Sequence, residues 1–343
     1  MERMAKVAST IVYGDDEEPG ITRKKTRHDA WAYHGPDGKR VTDRDEIDRL
    51  NAVGLPPAYT NAWYSADPNG HIQAVGWDEK GRKQYRYHLD FRAQQEAAKY
   101  DLCAPFGQVL TKLRARVEAD LDKRKHSKER TVAAIVKLLD MAALRIGNET
   151  YAKTNKSYGL TTLRDRHAEI HGSTLALEYK AKSGKQRKLR ITDGSLARFV
   201  KKCQDLPGQK LFQYVGDDGA PHAVTSSDVN AYIREAMGDG FTAKHFRTWG
   251  ASVVAFETLA AAPAPIGLKT MLEPVVERLG NTPAVARKSY VHPALIELGK
   301  DKAAQVAFKE LLRLPRATQY LSRAERGLIA FLEASGACDL KAA

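Results

Sequence analysis

The chain has 343 residues, 43% of them hydrophobic, and its 55 lysines and arginines against 42 aspartates and glutamates leave a net charge of +13. Such a length and apolar content exclude a disordered polyelectrolyte and suffice for two domains of ordinary size, while the positive balance favours a polyanionic partner, nucleic acid before an anionic membrane. Three scattered cysteines (Cys103, Cys203, Cys338) without a CxxC pair argue against a disulfide framework or a zinc site, and the longest apolar stretch, "ASVVAFETLAAAPAPIGL", is broken by Glu257, Pro263 and Pro265, so no membrane span is expected.

The N-terminus carries no apolar signal region, and the acidic "GDDEEPG" followed by "ITRKKTRH" has charge but little to bury, which predicts a mobile leader. Strand-like runs separated by the turn sequences "PDGK", "DPNG" and "DEKG" fill the rest of residues 1–90 and predict a small β-rich domain. From residue 91 the apolar period becomes helical, with Leu110, Leu113, Val117 and Leu121, then Val132, Ile135, Val136, Leu139, Ala143 and Ile146, so residues 91–343 are expected to form a larger, mainly helical domain. The fold class expected is therefore α+β. One hairpin interrupts the helices: "LALEYKAKSGKQRKLRI" alternates, turns at Ser183-Gly184 and resumes, with Lys182 and Lys185 flanking the tip.

The later helices carry recognisable starts and stops. "SLARFVKKC" starts at Ser195, "SSDVNAYIREAM" is capped at Ser226 or Ser227, and "TAKHFRTWGASVVAFETLA" is capped by Thr242. A helix from Leu268 to Leu279 stops at Gly280, Thr282 caps the next with Pro283 in its first position, and His292-Pro293 ends that one, leaving Tyr290 in its last turn. A closing amphipathic helix is expected in "YLSRAERGLIAFLEAS".

Several residues here could act on a phosphate, and each has a plainer reading. Arg145, at the end of an apolar helix in "LLDMAALRIGNETY", either offers a bidentate guanidinium or snorkels to solvent. Arg247, in the second turn of its helix with Lys244 one turn earlier, either faces an anion or lies on a solvated face. Lys182 is either an ordinary turn residue or a proton donor with the reach to enter a groove, and Asn281 either a helix-entry residue or a neutral donor. Tyr290, behind Arg287 and Lys288, is a surface aromatic or a nucleophile; a free phenol with a pKa of about 10 is only about one part in a thousand ionised at neutral pH, so attack requires cationic neighbours. The sequence offers no metal-ligand cluster and no GxxxxGK[ST] phosphate loop.

Taken together, "LRIGNETY", "YKAKSGK", "TAKHFRTWGAS" and "GNTPAVARKSYVHP" resemble, in order and spacing, the catalytic segments of type IB DNA topoisomerases of the compact poxvirus-like and bacterial form. "GLPPAYTNAWYSADPNGHIQAVGWDEKGRKQYRYH" resembles their N-terminal domain, and the likeness runs from about residue 25 to 335. The resemblance implies that Tyr290 attacks a DNA phosphodiester to give a 3′-phosphotyrosyl link, that Arg145 and Arg247 stabilise the charge on phosphorus, and that Lys182 protonates the departing 5′-oxygen. It puts Asn281 where many members carry histidine, limiting that residue to orientation and electrostatics, and makes Lys244 an accessory phosphate contact. Arg82, Gln84, Tyr85 and Tyr87 match a DNA-contacting strand, and Asn148 and Tyr151 a groove-reading segment. Further implied are strand swivelling and religation without ATP, metal or other cofactor, a monomer whose two domains clamp duplex DNA, preferably supercoiled, and a cytoplasmic, nucleoid-associated bacterial setting.

Two alternatives remain. A tyrosine recombinase shares the Arg, Lys, Arg and Tyr set but usually has HxxR where this chain has Lys244 to Arg247, and its N-terminal domain is all-helical. A non-enzymatic DNA-binding protein would need only the basic surface.

Overall fold

The computed structural model describes residues 10–27 and 30–339, with the side chains of residues 97 and 336–339, that of the third cysteine, Cys338, among them, outside the description. By its contacts the chain divides into two compact units, residues 1–99 and 100–343.

In the first unit, the segment expected to be loose is built into the fold as far as Arg27, and its last residue, His28, lies outside the described residues. Its basic run forms β1 (Ile21–Lys25), an inner strand of a five-stranded antiparallel sheet completed by β2 (Trp31–His34), β3 (Thr60–Tyr64), β4 (Ile72–Trp77) and β5 (Lys83–Tyr87) in the order β2-β1-β3-β4-β5; the helix α1 (Arg44–Ala52) connects β2 to β3. Composition misleads here because charge pairs and backbone contacts do what apolar bulk does not. Ile21 is buried, and Arg23 donates to the carbonyls of Leu55 and Pro56, both at 2.9 Å. In the preceding acidic segment, the Trp63 indole donates to the Glu18 carbonyl at 2.9 Å and Asp16 pairs with Lys83 at 2.5 Å. A small core of Ile21, Tyr33, Leu50, Leu55, Ala62, Tyr64 and Ala74 lies beneath the sheet.

The unit boundary falls within α2 (Leu89–Asp101), and the second unit continues with the long helices α3 (Cys103–Leu121) and α4 (Lys128–Ala142), then the short α5 (Glu149–Asn155). A three-stranded antiparallel sheet, β6 (Ala168–His171), β7 (Thr174–Lys180) and β8 (Gln186–Thr192), contains the expected hairpin plus a strand the pattern did not announce. There follow α6 (Gly194–Gln204), a two-stranded ribbon of β9 (Gln213–Val215) and β10 (Pro221–Ala223), and six helices: α7 (Ser226–Met237), α8 (His245–Ala261), α9 (Leu268–Leu279), α10 (Pro283–Ser289), α11 (Pro293–Lys300) and α12 (Lys302–Leu311), closed by α13 (Arg323–Asp339). A β-sheet unit followed by a mainly helical one is the α+β arrangement expected.

Several helix starts differ by a residue or two because a better acceptor stands just upstream. Asp193 rather than Ser195 caps α6, accepting from Leu196 N at 2.8 Å, and Thr225 rather than Ser226 or Ser227 caps α7 in a reciprocal box with Asp228. α10 stops at Ser289, before His292-Pro293, and that pair instead opens α11, the His292 imidazole accepting from Ala294 N at 3.2 Å.

A polar knot fixes α13 to the core. Arg114 on α3 donates to Asp140 on α4 (2.7 and 2.9 Å), to Glu325 on α13 (2.6 and 3.0 Å) and to the Tyr320 carbonyl, and the Trp249 indole on α8 donates to Glu325 at 3.3 Å. Burial raises the Glu325 carboxyl, but the Arg114 guanidinium outweighs it and holds the group below its ordinary value of 4.5. Glu325→Ala is expected to cost about 2 to 3 kcal/mol in urea unfolding, less than a fully isolated buried charge because Asp140 still pairs with Arg114. The charge-dependent part should be complete above about pH 4.5 and vanish as pH falls through the lower folded value; equal stability of variant and parent at neutral pH would contradict it.

Candidate active site

Arg145 lies beyond α4, not on its end. The helix stops at Ala142 because Ala143 takes a left-handed conformation (φ 48°, ψ 39°), so Ala143 and Ile146, apparently in helical phase, belong to the segment that follows. That segment is pinned through its carbonyls: Arg145 O accepts from Leu160 N at 3.0 Å, and Ile146 O from Thr161 N at 2.7 Å. The backbones touch at Gly147 and Gly159, where a β-carbon on Gly159 would fall 2.6 Å from Gly147 Cα and 2.7 Å from Arg145 O. So held, Arg145 donates through Nη2 to Asn281 Oδ1 at 3.4 Å.

Arg247 sits in the first turn of α8, a turn earlier than the sequence suggests. Thr242 does not cap this helix; Lys244, exposed, stands at the cap position and its side chain makes no capping bond, while the His245 ring accepts from Thr242 N at 3.0 Å. Arg247 is 5% exposed. It donates to Ala143 O through Nη1 and to Leu279 O through Nη2 at 3.3 Å, joining the C-terminal ends of α4 and α9. Its guanidinium carbon lies 4.6 Å from the centroid of the Tyr290 ring.

Asn281 and Tyr290 flank α10. Gly280 ends α9 in a left-handed turn (φ 65°), Asn281 follows, and Thr282 caps α10, accepting from Val285 N at 3.4 Å. Tyr290 is the residue on which α10 terminates, its N–H donating to Ala286 O at 3.1 Å. Neighbours fix this end: Tyr100 Oη donates to Lys288 O at 3.2 Å, and His292 N to the buried Ser252 hydroxyl at 3.0 Å.

Lys182 stands exposed at the tip of the β7-β8 hairpin, where Ser183 (φ 63°) and Gly184 (φ 77°) make the turn and Ala181 N donates to Lys185 O at 2.7 Å. One residue the sequence did not single out belongs with these. Arg187, opposite Tyr179 on β8, donates to the carbonyls of Glu277 (3.1 Å) and Arg278 at the end of α9. It was hidden among the lysines and arginines of "KQRKLR", and only the pairing register picks it out.

The electrostatics follow from this assembly. Burial pushes the Tyr290 phenol up, but the positive charges of Arg247, then Arg145 and Lys182, pull it further down, so it titrates below the ordinary 10. Burial, aided by Arg145, brings Arg247 down to about 10, still charged at neutral pH. Among the described residues, Arg247 Nε and Asn281 Nδ2 are buried donors without a hydrogen-bond partner, and buried donors of this kind call for an acceptor. The bonds of Arg145, Arg187 and Arg247 described above go to carbonyl or amide oxygens and not to carboxylates, unlike those of Arg114, so they do not cancel the site's positive field.

The remaining expected contacts have local partners of their own. Asn148 caps α5, its Oδ1 accepting from Tyr151 N at 3.0 Å, and Tyr151 is 45% exposed. In the first unit, Tyr85 (38% exposed) and Tyr87 (41% exposed) share one face of β5 with rings stacked at 5.9 Å. Arg82 and Gln84 are instead drawn to Asp78, at 2.8 and 3.2 Å.

Two family models match. That of the eukaryotic DNA topoisomerase I catalytic core covers residues 88–306, and that of the bacterial DNA topoisomerase IB N-terminal domain covers residues 30–78. The chain is 34% identical to DNA topoisomerase 1B of Acanthamoeba polyphaga mimivirus over 293 residues, 81% of this chain and 87% of that protein. It is 22% identical to DNA topoisomerase 1B of Vaccinia virus (strain Copenhagen) over 254 residues, 70% of this chain and 78% of that one. Among solved structures, XerH site-specific recombinase bound to difH substrate aligns over 53% of this chain and 48% of its own, with a TM-score of 0.36 and 14% identity.

The phenol's depressed pKa depends on the cation above its ring. Arg247→Gln is expected to move the Tyr290 titration upward, read as phenolate absorbance in the ultraviolet against a Tyr290→Phe control. An unchanged midpoint would mean that this guanidinium does not act on the hydroxyl.

Proposed function

The chain belongs to the type IB DNA topoisomerase family, and from that premise we propose that Tyr290, Arg145, Arg247, Lys182 and Asn281 are the residues with which it cuts and reseals one DNA strand. The protein relaxes DNA through transient single-strand cleavage, the activity of its family. Carrying the residue assignment is the packing of Arg247 over Tyr290 together with the Arg145–Asn281 bond, with Arg247 Nε and Asn281 Nδ2 left as unsatisfied buried donors.

In the proposed reaction the Tyr290 oxygen, having lost its proton to solvent, attacks the phosphorus of a backbone phosphodiester. A bond forms between that oxygen and phosphorus, and the bond from phosphorus to the 5′-oxygen breaks. Charge gathers on the nonbridging oxygens as phosphorus becomes five-coordinate. Arg145 and Arg247 neutralise it, and Asn281 Nδ2 donates without carrying a charge or a proton. Lys182 delivers a proton to the departing 5′-oxygen, leaving a 3′-phosphotyrosyl link and a free 5′-hydroxyl. The covalent bond conserves the energy of the cut strand, so the reverse attack reseals it without ATP or metal.

Lys244, exposed at the start of α8, adds a phosphate contact. Tyr85 and Tyr87 meet the duplex with their paired faces, as do Asn148 and Tyr151. Arg82 and Gln84 do so only by exchanging Asp78 for DNA. The substrate is duplex DNA, preferably supercoiled, the protein acts as a monomer, and its setting is the nucleoid in the cytoplasm of a bacterium. The last is supported by the bacterial N-terminal domain match, and among the described residues no helix is long and apolar enough to cross a membrane.

Dilute protein should relax negatively supercoiled plasmid in EDTA without ATP. A requirement for paired sites and a multimer would instead indicate recombinase chemistry. Tyr290→Phe should bind DNA yet form no covalent adduct on denaturing gels, and relaxation by that variant would exclude the nucleophile. Arg145→Ala and Arg247→Ala should each slow single-turnover cleavage by roughly two to three powers of ten, and a parental rate in either would remove that arginine from the mechanism.

A further inference from the structure

The last four carbonyls of a helix have no partner within it, and at the end of α9 each finds one outside. Val276 O accepts from Gly280 N at 2.8 Å through the left-handed turn, and Leu279 O from Arg247. The two between them, Glu277 O and Arg278 O, both accept from Arg187, which reaches across from β8. Its guanidinium is seated against the turn: a β-carbon on Gly280, the residue before Asn281, would lie 2.8 Å from Arg187 Nη1. A cation at the negative end of a helix, with two fork-like bonds, makes a stiff tie.

This tie joins two parts of the site that the chain separates widely. Among the described residues β8 is an edge strand, paired only with β7, and Lys182 lies on the short loop between them, five positions before Arg187. Within the hairpin the tip is held by the Ala181–Lys185 bond, and from outside Lys180 O accepts from Tyr158 N at 2.8 Å on the β7 side. Arg187 is the matching hold on the β8 side.

We propose that Arg187 is a positioning residue that fixes the Lys182 hairpin against the turn carrying Asn281, setting where the leaving oxygen meets its proton donor. The inference rests on the reading of Lys182 as general acid given above. Proton delivery tolerates little misplacement, so freeing the hairpin should impair the step that needs the proton and spare the others.

The experiment compares cleavage of an oligonucleotide duplex with the ordinary 5′-oxygen at the scissile bond with that of the same duplex bearing sulfur there. A thiolate, whose thiol has a pKa of about 8.5, leaves without protonation. Arg187→Ala is expected to slow the oxygen substrate about ten- to a hundredfold while cleaving the sulfur substrate within about twofold of the parent. Arg187→Lys keeps the charge but not the fork, and should show the same sulfur-reversible defect; it carries the test if the alanine variant fails to fold by circular dichroism. Equal loss on both substrates, or no loss on either, would overturn the proposal, as would a parental oxygen rate in Arg187→Lys. Lys182→Ala is run alongside. Sulfur rescue of Lys182→Ala but not of the Arg187 variants removes the positioning role alone. Failure of sulfur to rescue Lys182→Ala removes the general acid and the Arg187 role with it, leaving the Tyr290 assignment to its own test.

Discussion

A charged guanidinium with only 5% of its surface exposed is the constraint around which the larger unit is arranged. Burying Arg247 costs several kcal/mol in desolvation, and the structure offsets this with two main-chain carbonyls, the negative ends of α4 and α9, and the face of the Tyr290 ring. Removing the side chain would therefore disturb the architecture and, on the role proposed for it, the chemistry as well. The carbonyls it holds belong to Ala143, two positions before Arg145, and Leu279, two before Asn281, so satisfying the helix ends is the same act as gathering the site.

Two kinds of arginine emerge in this unit, distinguished by their acceptors. Arg114 is met by two carboxylates and is neutralised where it stands, which suits a residue that braces helices. Arg145, Arg187 and Arg247 are oriented by dipoles instead, which direct a guanidinium without discharging it. An anionic backbone entering there meets undiminished charge, and the phenol already feels it. Asparagine at position 281 suits such a field, since its amide adds a donor without adding charge to an already crowded group of cations.

Much of this could be read from the sequence because it is written in local signals. The end of α9 at Gly280, the Thr282-Pro283 entry to α10 and the Ser183-Gly184 turn follow from backbone preferences, and each stands where those preferences put it. What escaped depended on partners remote in the chain. The helical phase runs through Ala143 and Ile146, yet Ala143 turns left-handed and Arg145 leaves the helix to meet residues 159–161. The basic strand β1 looked like a leader until sheet neighbours and an Asp16–Lys83 pair supplied what its composition lacked. Arg187 was one basic residue among several, and its distinction is a register and a helix end some ninety positions away. The resemblance of the spaced motifs identified the family before any of these contacts were visible, but it could not say which groups hold the motifs in place.

The knot at Glu325 bears on how far such a protein can be pared down. The candidate site residues end at Tyr290 and the matched catalytic core at residue 306, yet the carboxylate receiving the Trp249 indole comes from α13, well past both. Trp249 is two residues from Arg247 on the same helix. A form of the chain without α13 would have to find another acceptor for that indole and would leave Arg114 to Asp140, so hydrogen-bond closure, and not the span of the motifs alone, bears on how short such a chain can be.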